Sequence, residues 1–181
     1  MVEEDLDKAL VARALGGDLD AFGELVERYQ RPVFNIVYRM IGNYDEAGDL
    51  SQQVFLKAFQ HLSSYDHERK FFSWIYRIAM NESINHLNGR RQFDSLDPET
   101  AVVAESVLDR LQTVERDSDI HEAVLELSES HRSVVVLRHF AHCSYKETAD
   151  LLEIPEKTVK SRLFEARQVL RQKLMAKGYA S

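Results

Sequence analysis

The stretch Tyr145-Lys-Glu-Thr-Ala-Asp-Leu-Leu-Glu-Ile-Pro-Glu-Lys-Thr-Val-Lys-Ser-Arg-Leu163 decides the fold of the C-terminal part of this chain. Its first half predicts a short helix carrying Ala149, a small side chain that allows another helix to cross closely. A tight turn follows at Glu153-Ile154-Pro155, and Pro155-Glu156 suits the start of a second helix. The stretch therefore predicts a helix-turn-helix.

The second helix, from Glu156 to about Met175, has one narrow apolar stripe. At 100° per residue the stripe consists of Val159, Leu163, Ala166, Leu170 and Leu174, and we expect it to be buried. The opposite side carries Lys157, Ser161, Phe164, Gln168 and Arg171, with Lys160 and Arg167 on its border. An aromatic ring on this side has no role in folding, so Phe164 is predicted to contact a thymine methyl group or sugar in the major groove. The alternative is a solvated helix with Phe164 packed on a neighbour.

The overall charge hides a local excess of positive charge. The chain of 181 residues has a net charge of −7, which alone argues against nucleic-acid binding. Between residues 94 and 129, eleven acidic residues stand against Arg110 and Arg116, but between 156 and 177 seven basic residues stand against Glu156 and Glu165. Such a basic stripe steers a phosphate backbone even when the whole molecule is acidic.

Composition predicts an all-helical protein of the cytoplasm. Seven glycines and three prolines are too few for the many turns of a β-sandwich or barrel. The single cysteine, Cys143, excludes an internal disulfide and fits a reducing compartment. The acidic N-terminus does not resemble a signal peptide, and no apolar run approaches the roughly 20 residues that cross a bilayer. We therefore expect no membrane insertion.

The N-terminal block predicts four helices. Asp18 or Asp20 caps the first, Pro32 begins the second, and Gly42 ends it. Tyr44-Asp45 opens the third, a loop spans residues 63–66, and the fourth helix runs from about Phe71 to Arg91.

The fourth of these helices has an unusual face. Trp74, Arg77, Asn81, Asn85 and Asn88 share one side, although asparagine is a poor helix former. Amides bind base edges and aromatic rings stack on unpaired bases, so this face suits single-stranded nucleic acid, with Arg90-Arg91 taking phosphates. The alternative is a core tryptophan beside solvated asparagines.

The predicted organisation is all-α, with two small helical domains joined by a flexible acidic linker. The N-terminal domain spans residues 1–92, the linker 93–118 and the C-terminal domain 119–181. The helices expected in the C-terminal domain are Ile120–Leu127, Ser130–Ala141, Tyr145–Leu152 and Glu156 to about Met175.

Three motifs together resemble the bacterial sigma factors. Asp49-Leu-Ser-Gln-Gln-Val-Phe-Leu-Lys-Ala-Phe59 and Phe72-Ser-Trp-Ile-Tyr-Arg-Ile-Ala-Met-Asn81 look like the second conserved region of that family. Thr158-Val-Lys-Ser-Arg-Leu-Phe-Glu-Ala-Arg167 resembles the fourth. With only a short linker between the blocks, the chain is similar to the extracytoplasmic-function (ECF) type, and the resemblance covers residues 18–64, 71–91 and 120–174.

The resemblance implies a factor that binds core RNA polymerase, directs it to promoters and helps melt the DNA, without a cofactor or covalent chemistry of its own. The residues implied to dock on the clamp helices of the β′ subunit are Asp49, Gln52, Gln53, Phe55 and Leu56. Val54 and Phe59 are instead interpreted as core. Gln53 departs from the acidic residue common in the family, and Gly48 is unusual inside a helix, at a cost of about 1 kcal/mol.

The resemblance also implies two DNA-binding surfaces. The −10 element, opened to single strands, would be bound by Trp74, Arg77, Asn81, Asn85, Arg90 and Arg91. The −35 duplex would be bound by Lys157, Lys160, Ser161, Phe164, Glu165 and Arg167. Glu165 stands where a basic residue is frequent, and its carboxylate either accepts from a cytosine amino group or repels phosphate.

Further partners follow from the same resemblance. They are the β flap of the polymerase and an anti-sigma factor that holds the protein inactive until a stress signal arrives. The acidic linker would thread into polymerase channels that otherwise hold RNA, or else is simply solvated.

Other classes of function have weaker support in the sequence. His139, His142 and Cys143 lie close in sequence, but a fourth ligand is missing nearby, so no metal site is predicted. Phosphate-binding glycine loops and paired-carboxylate motifs are lacking, which argues against an enzyme. The main alternative is an ordinary dimeric helix-turn-helix transcription regulator that binds duplex DNA unaided. The aromatic–asparagine helix and the Gln52-Gln53 surface argue against it, because a duplex-only regulator needs neither.

Overall fold

The computed structural model describes the backbone of residues 2–96 and 114–179, and the side chains of residues 5–90 and 118–179. Within these ranges the chain is all-α, as predicted, and forms two domains. The N-terminal helices are α1 (Val2–Leu15), α2 (Leu19–Ile41), α3 (Tyr44–Gln60) and α4 (Phe71–Leu96). The C-terminal helices are α5 (Val114–Leu125), α6 (Glu129–Val135, continued by a π-helical turn over Val136–Phe140), α7 (Tyr145–Leu152) and α8 (Glu156–Ala176).

Helix α2 is longer than predicted. The Asp18 side chain caps it by accepting from the backbone N–H of Ala21, and Gly42 ends it at φ 86°, both as expected. The prediction that Pro32 begins a new helix is wrong, because Pro32 lies inside α2. Its ring removes one backbone hydrogen bond. The buried residues Leu25 and Val33 lie on either side of the proline, so packing of both halves outweighs that loss.

Helix α1, which the sequence analysis did not anticipate, is held to α2 by a buried carboxylate. Asp7 is 5% exposed and accepts a 2.5 Å hydrogen bond from the Tyr29 hydroxyl. The Arg28 guanidinium lies 3.1 Å from the same carboxylate. Burial, and then the bond to Asp7, raise the pKa of Tyr29 well above its usual value. Tyr29 therefore stays a neutral donor.

Helix α3 begins at the Asn43 cap, whose side chain accepts from the backbone N–H of Glu46. Val54 of α3 is fully buried, as predicted. Phe59 is 44% exposed and stacks edge-on against Phe22, so its interpretation as core is wrong. It lies in the last turn of α3, at the rim of the packing. Nothing in the structure explains Gly48, since a Cβ there would meet no atom within 4 Å.

The C-terminal domain contains the four helices expected of it. Helix α8 buries Val159, Leu163 and Ala166, while Leu170 and Leu174 are partly buried. The helix predicted over Ser130–Ala141 is α6 with its π-helical turn, and Tyr145–Leu152 has the predicted bounds. None of the described helices is long and apolar enough to cross a membrane.

The two domains pack against each other and share one hydrophobic core. Arg132 of α6 donates to the backbone carbonyl of Met40 at the end of α2. The Arg39 guanidinium lies 4.4 Å from the centre of the Phe140 ring. A Cβ on Gly42 would lie 2.6 Å from a methyl group of Leu125, so the α2 terminus meets α5 closely.

The predicted domain boundaries stay predictions, but the helices overlap the proposed linker. Helix α4 continues to Leu96 and α5 begins at Val114, so both ends of the 93–118 segment have helical backbone. The middle of the segment, residues 97–113, lies outside the described residues.

Candidate nucleic-acid and polymerase interfaces

Helix α7 of the helix-turn-helix begins at a capping box and ends at a residue in the left-handed conformation. Ser144 and Glu147 form a capping box at the start of α7, each side chain bonded to the other's backbone N–H. Burial alone would raise the pKa of Glu147, but the hydrogen bonds from Ser144 and then from Lys70 lower it below its usual value. The turn itself contains Glu153 in the left-handed conformation, at φ 54° and ψ 40°.

The exposed face of α8 contains all six residues predicted to bind the −35 element. All six side chains are exposed: Lys157, Lys160, Ser161, Phe164, Glu165 and Arg167. Phe164 is 64% exposed, which excludes the alternative that it packs on a neighbour within the described residues. Lys160 pairs with Glu156 at 2.8 Å and lies over the Tyr145 ring, so its ammonium group is held beside the start of the helix.

Two histidines that the sequence analysis did not assign to this face orient residues on it. His131 Nε2 of α6 lies 3.1 Å from the Glu165 carboxylate. His139 Nε2 lies 3.4 Å from Arg167 Nη2. Their spacing in sequence gave no signal, because they reach α8 only through the packing of α6. His142 and Cys143 do not join them in a metal site, and the described residues contain no group of three potential ligands.

The predicted −10 surface lies along α4 and is partly covered. Trp74 is half-buried against Tyr65 and Phe71, at ring distances of 5.5 and 5.7 Å. Asn81 and Asn85 are exposed on the turns that follow. Arg90 lies 3.6 Å from Glu46 of α3, which bonds His86 as well. The side chain of Arg91 lies outside the described ones.

Arg77 is bound by the C-terminal domain. Its Nη2 donates to the backbone carbonyl of Asp150 at 2.7 Å, and its Nη1 lies 3.3 Å from the Glu153 carboxylate. Nearby, Lys70 Nζ lies 3.3 Å from Glu147 Oε1. Helix α7 therefore covers the beginning of the predicted −10 surface.

A small cavity lies at the N-terminal end of α4, beside the loop that precedes it. Its volume is about 150 Å³. The residues that line it are Lys8, Tyr65, Glu68, Arg69, Lys70 and Phe71. Aromatic rings and cations together suit a base and the phosphate attached to it.

The surface predicted to bind polymerase lies on α3. Asp49, Gln52 and Gln53 are exposed, and Leu56 is 57% exposed although it is apolar. Phe55 is half-buried. The face therefore combines polar groups with an uncovered leucine, a composition that fits a protein partner.

Comparison with known proteins defines the class. Residues 25–93 match the family model of sigma-70 region 2, and residues 117–170 match that of sigma-70 region 4. The N-terminal domain, with α3 and α4, is therefore a region 2 domain, and the helix-turn-helix domain is a region 4 domain. The chain belongs to the sigma-70 family of transcription initiation factors.

The curated relatives place the chain, within the sigma-70 family, among the ECF sigma factors. The ECF sigma factor SigW of Bacillus subtilis is 34% identical over 94% of this chain and 98% of its own length. The ECF sigma-E factor of Escherichia coli K12 is also 34% identical, over 96% of this chain and 97% of its own. The fold matches the sigma factor RpoE of Bartonella quintana, solved with the anti-sigma factor NepR, at a TM-score of 0.75, 22% identity, 85% coverage of this chain and 96% of that one. This protein is thus an alternative sigma factor of the ECF family, and the dimeric regulator gains no support.

Proposed function

We propose that this ECF sigma factor recruits core RNA polymerase through α3, captures the single-stranded −10 element with α4, and binds the −35 duplex with α8. The observation that carries the proposal is the exposed face of α8. Cations, a hydroxyl and an uncovered aromatic ring there share one side of the second helix of a helix-turn-helix. Cations and hydroxyls bind phosphates, and an apolar ring contacts the thymine methyl group.

The proposed binding of the −10 element is supported by the order of aromatic and amide side chains along α4. The cavity beside Tyr65 and Phe71 is large enough for a planar ring, and Trp74 borders the same aromatic cluster. The exposed amide of Asn81 follows about two turns after Trp74, and that of Asn85 one turn later. A strand running along α4 therefore meets an aromatic pocket and then amides that can bind base edges.

The polymerase role is supported by the uncovered Leu56 between exposed glutamines. We propose that Asp49, Gln52, Gln53, Phe55 and Leu56 bind the β′ clamp helices, and that the region 4 domain contacts the β flap. Because the polymerase and the chromosome occupy the cytoplasm, the protein works there. It acts as an initiation factor, performs no covalent chemistry and needs no cofactor. An anti-sigma factor is proposed as its inhibitor, because the Bartonella quintana structure with the same fold contains a sigma factor in complex with an anti-sigma factor.

Run-off transcription with purified core polymerase on promoters of the host tests this proposal. We expect specific transcripts only when the protein is added, and their loss with Asn81→Ala or Ser161→Ala. Asn35→Ala, which removes an exposed amide from α2, is the matched control and should transcribe normally. Tight duplex binding by the protein alone, with no polymerase binding and no transcript, would overturn the proposal.

A further inference from the structure

Glu165 places a carboxylate near the centre of the exposed face of α8. At about 100° per residue, Ser161 lies opposite the buried side of the helix, and Glu165 lies about 40° from Ser161. The cations Lys160 and Arg167 lie further round, at about 100° and about 120°, close to the border with the buried side. When such a helix enters the major groove, its centre faces the base edges and its borders face the phosphates. Glu165 is therefore placed to meet bases rather than the backbone.

The Glu165 carboxylate is held by a residue of another helix. His131 Nε2 of α6 lies 3.1 Å from Glu165 Oε2. Because a carboxylate only accepts hydrogen bonds, Nε2 of His131 carries a proton and donates to it. The His131 side chain is 22% exposed and that of Glu165 is 59% exposed, so the histidine is the inner partner. The second carboxylate oxygen, Oε1, makes no hydrogen bond within the described part of the chain and is available to a base.

A second histidine supports the neighbouring cation in the same way. His139, in the π-helical turn that continues α6, has its Nε2 3.4 Å from Arg167 Nη2. Because a guanidinium only donates, this nitrogen of His139 accepts, which requires a neutral ring. Burial, and then the charges of Arg167 and Arg138, lower the pKa of His139 below its usual value, in agreement with a neutral ring. Each histidine thus presents the group that its partner on α8 requires, a donor to Glu165 and an acceptor to Arg167.

A carboxylate in the major groove discriminates among the four bases. Guanine presents two acceptors there and thymine presents one, so both repel it. Adenine presents an amino donor beside the N7 acceptor, whereas cytosine presents the N4 amino group without an acceptor of its own. Cytosine is therefore the best partner for Oε1 of Glu165.

We propose that His131 and Glu165 form a pair that selects cytosine in the −35 element, with Glu165 contacting the base and His131 acting as its positioning residue. This inference rests on the proposed −35 role of α8. The histidine fixes one carboxylate oxygen, so the side chain has less rotational freedom to lose when the other oxygen binds the base. A carboxylate that served only to repel phosphates would need no partner to orient it.

The test measures base preference in promoter-bound polymerase. A host promoter that is transcribed with this protein is randomised across its −35 element, and polymerase assembled from core enzyme and the full chain selects duplexes from that library. Sequencing of the selected duplexes gives the frequency of each base at each position. We expect one position at which the wild type prefers cytosine over guanine about tenfold. Because this preference is a ratio within one protein, a variant that folds less well lowers the yield and leaves the ratio unchanged.

Three substitutions at the pair have distinct outcomes. Glu165→Gln should move the preference at that position from cytosine to adenine, because an amide accepts from N6 and donates to N7 of adenine. His131→Ala should reduce the cytosine preference about threefold, since the carboxylate remains but is no longer oriented. It keeps the cap of α6, in which Ser128 accepts from the backbone N–H of residue 131. His131→Gln should restore the preference, because the glutamine amide can donate in place of the imidazole.

The matched control is Glu122→Gln on α5. The Glu122 side chain belongs to the same domain, is also 59% exposed and pairs with Lys177 on the other side of the domain's helices from the −35 face. The substitution changes the net charge by the same amount as Glu165→Gln. We expect the control to keep the wild-type base preference at every position.

The outcomes separate the pair from the proposed function. No base preference anywhere in the −35 element would overturn the proposed role of α8 and the pair with it. Preferences elsewhere, without a cytosine position that responds to Glu165→Gln, would overturn the base contact and leave the role of α8 untouched. A cytosine position that responds to Glu165→Gln but not to His131→Ala would overturn the role of His131. Reduction with His131→Ala and recovery with His131→Gln would establish the pair.

Discussion

His121 predicts that acid weakens the packing between the two domains. It lies on α5, is 8% exposed and stacks on Tyr38 of α2 with 4.3 Å between ring centres. Neither ring nitrogen has a hydrogen-bond partner within the described part of the chain. Burial, followed by the charges of Arg39 and Arg132, lowers the pKa of His121 to about 4 from its usual 6.5. The folded protein therefore holds the imidazole neutral.

The size and sign of the effect follow from this shift. Because the folded pKa lies below the unfolded one, the unfolded chain binds the proton first, and stability is lost as the pH falls from about 6.5 towards 4. At pH 5 the loss is about 2 kcal/mol. This value follows because pH 5 lies about one and a half units below the pKa of the histidine in the unfolded chain, and each unit corresponds to about 1.4 kcal/mol.

Urea denaturation of the wild type and of His121→Phe, at about pH 7.5 and pH 5, measures the effect. Phenylalanine keeps the stacking on Tyr38 but cannot bind a proton. Carboxylates such as Glu126 and Asp119, whose pKa values are lowered by bonds to Lys173 and Tyr179 respectively, lose their contribution equally in both proteins. The wild type should lose about 2 kcal/mol more than the variant. Equal losses would refute the assignment of a buried neutral imidazole.

Four further substitutions have defined outcomes. Leu163→Ala, at a fully buried position of α8, should lower the unfolding free energy by about 3 kcal/mol in denaturant titration. Ser144→Ala removes the cap of α7 and should cost about 1 kcal/mol by the same measurement. Glu153→Gly should raise the thermal midpoint, because it relieves up to about 1 kcal/mol of left-handed strain. Phe164→Ala should leave stability within about 0.5 kcal/mol while weakening −35 duplex binding in anisotropy assays.

The local patterns in the sequence predicted the helices well. Caps at Asp18 and Gly42 were identified correctly, because a cap depends on residues within one turn of it. The stripe on α8 correctly separated the buried Leu163 from the exposed Phe164, since periodicity follows directly from helix geometry. Pro32 misled the prediction, because its tolerance inside α2 depends on packing by distant helices.

The sequence contained no comparable pattern for contacts between distant parts of the chain. Helix α1 packs into the core through Leu10 and Val11 and is also held by the hydrogen bond between Asp7 and Tyr29, a contact that is visible only in three dimensions. The pairing of His131 with Glu165 joins residues 34 positions apart. Phe59 was interpreted as core together with Val54, although it lies at the rim where α3 ends.

Arg77 shows why the placement of the two domains could not be read from the sequence. The residue was singled out as a DNA contact, and in the structure its guanidinium binds the backbone carbonyl of Asp150 and the Glu153 carboxylate. A carboxylate and a phosphate both offer arginine oxygen acceptors that match the geometry of its donors. The sequence that suits DNA therefore also suits an acidic helix of the same chain. An acidic segment of the same chain can therefore bind a surface that is suited to DNA. Affinity and effective concentration, rather than residue type, determine which of the two is bound.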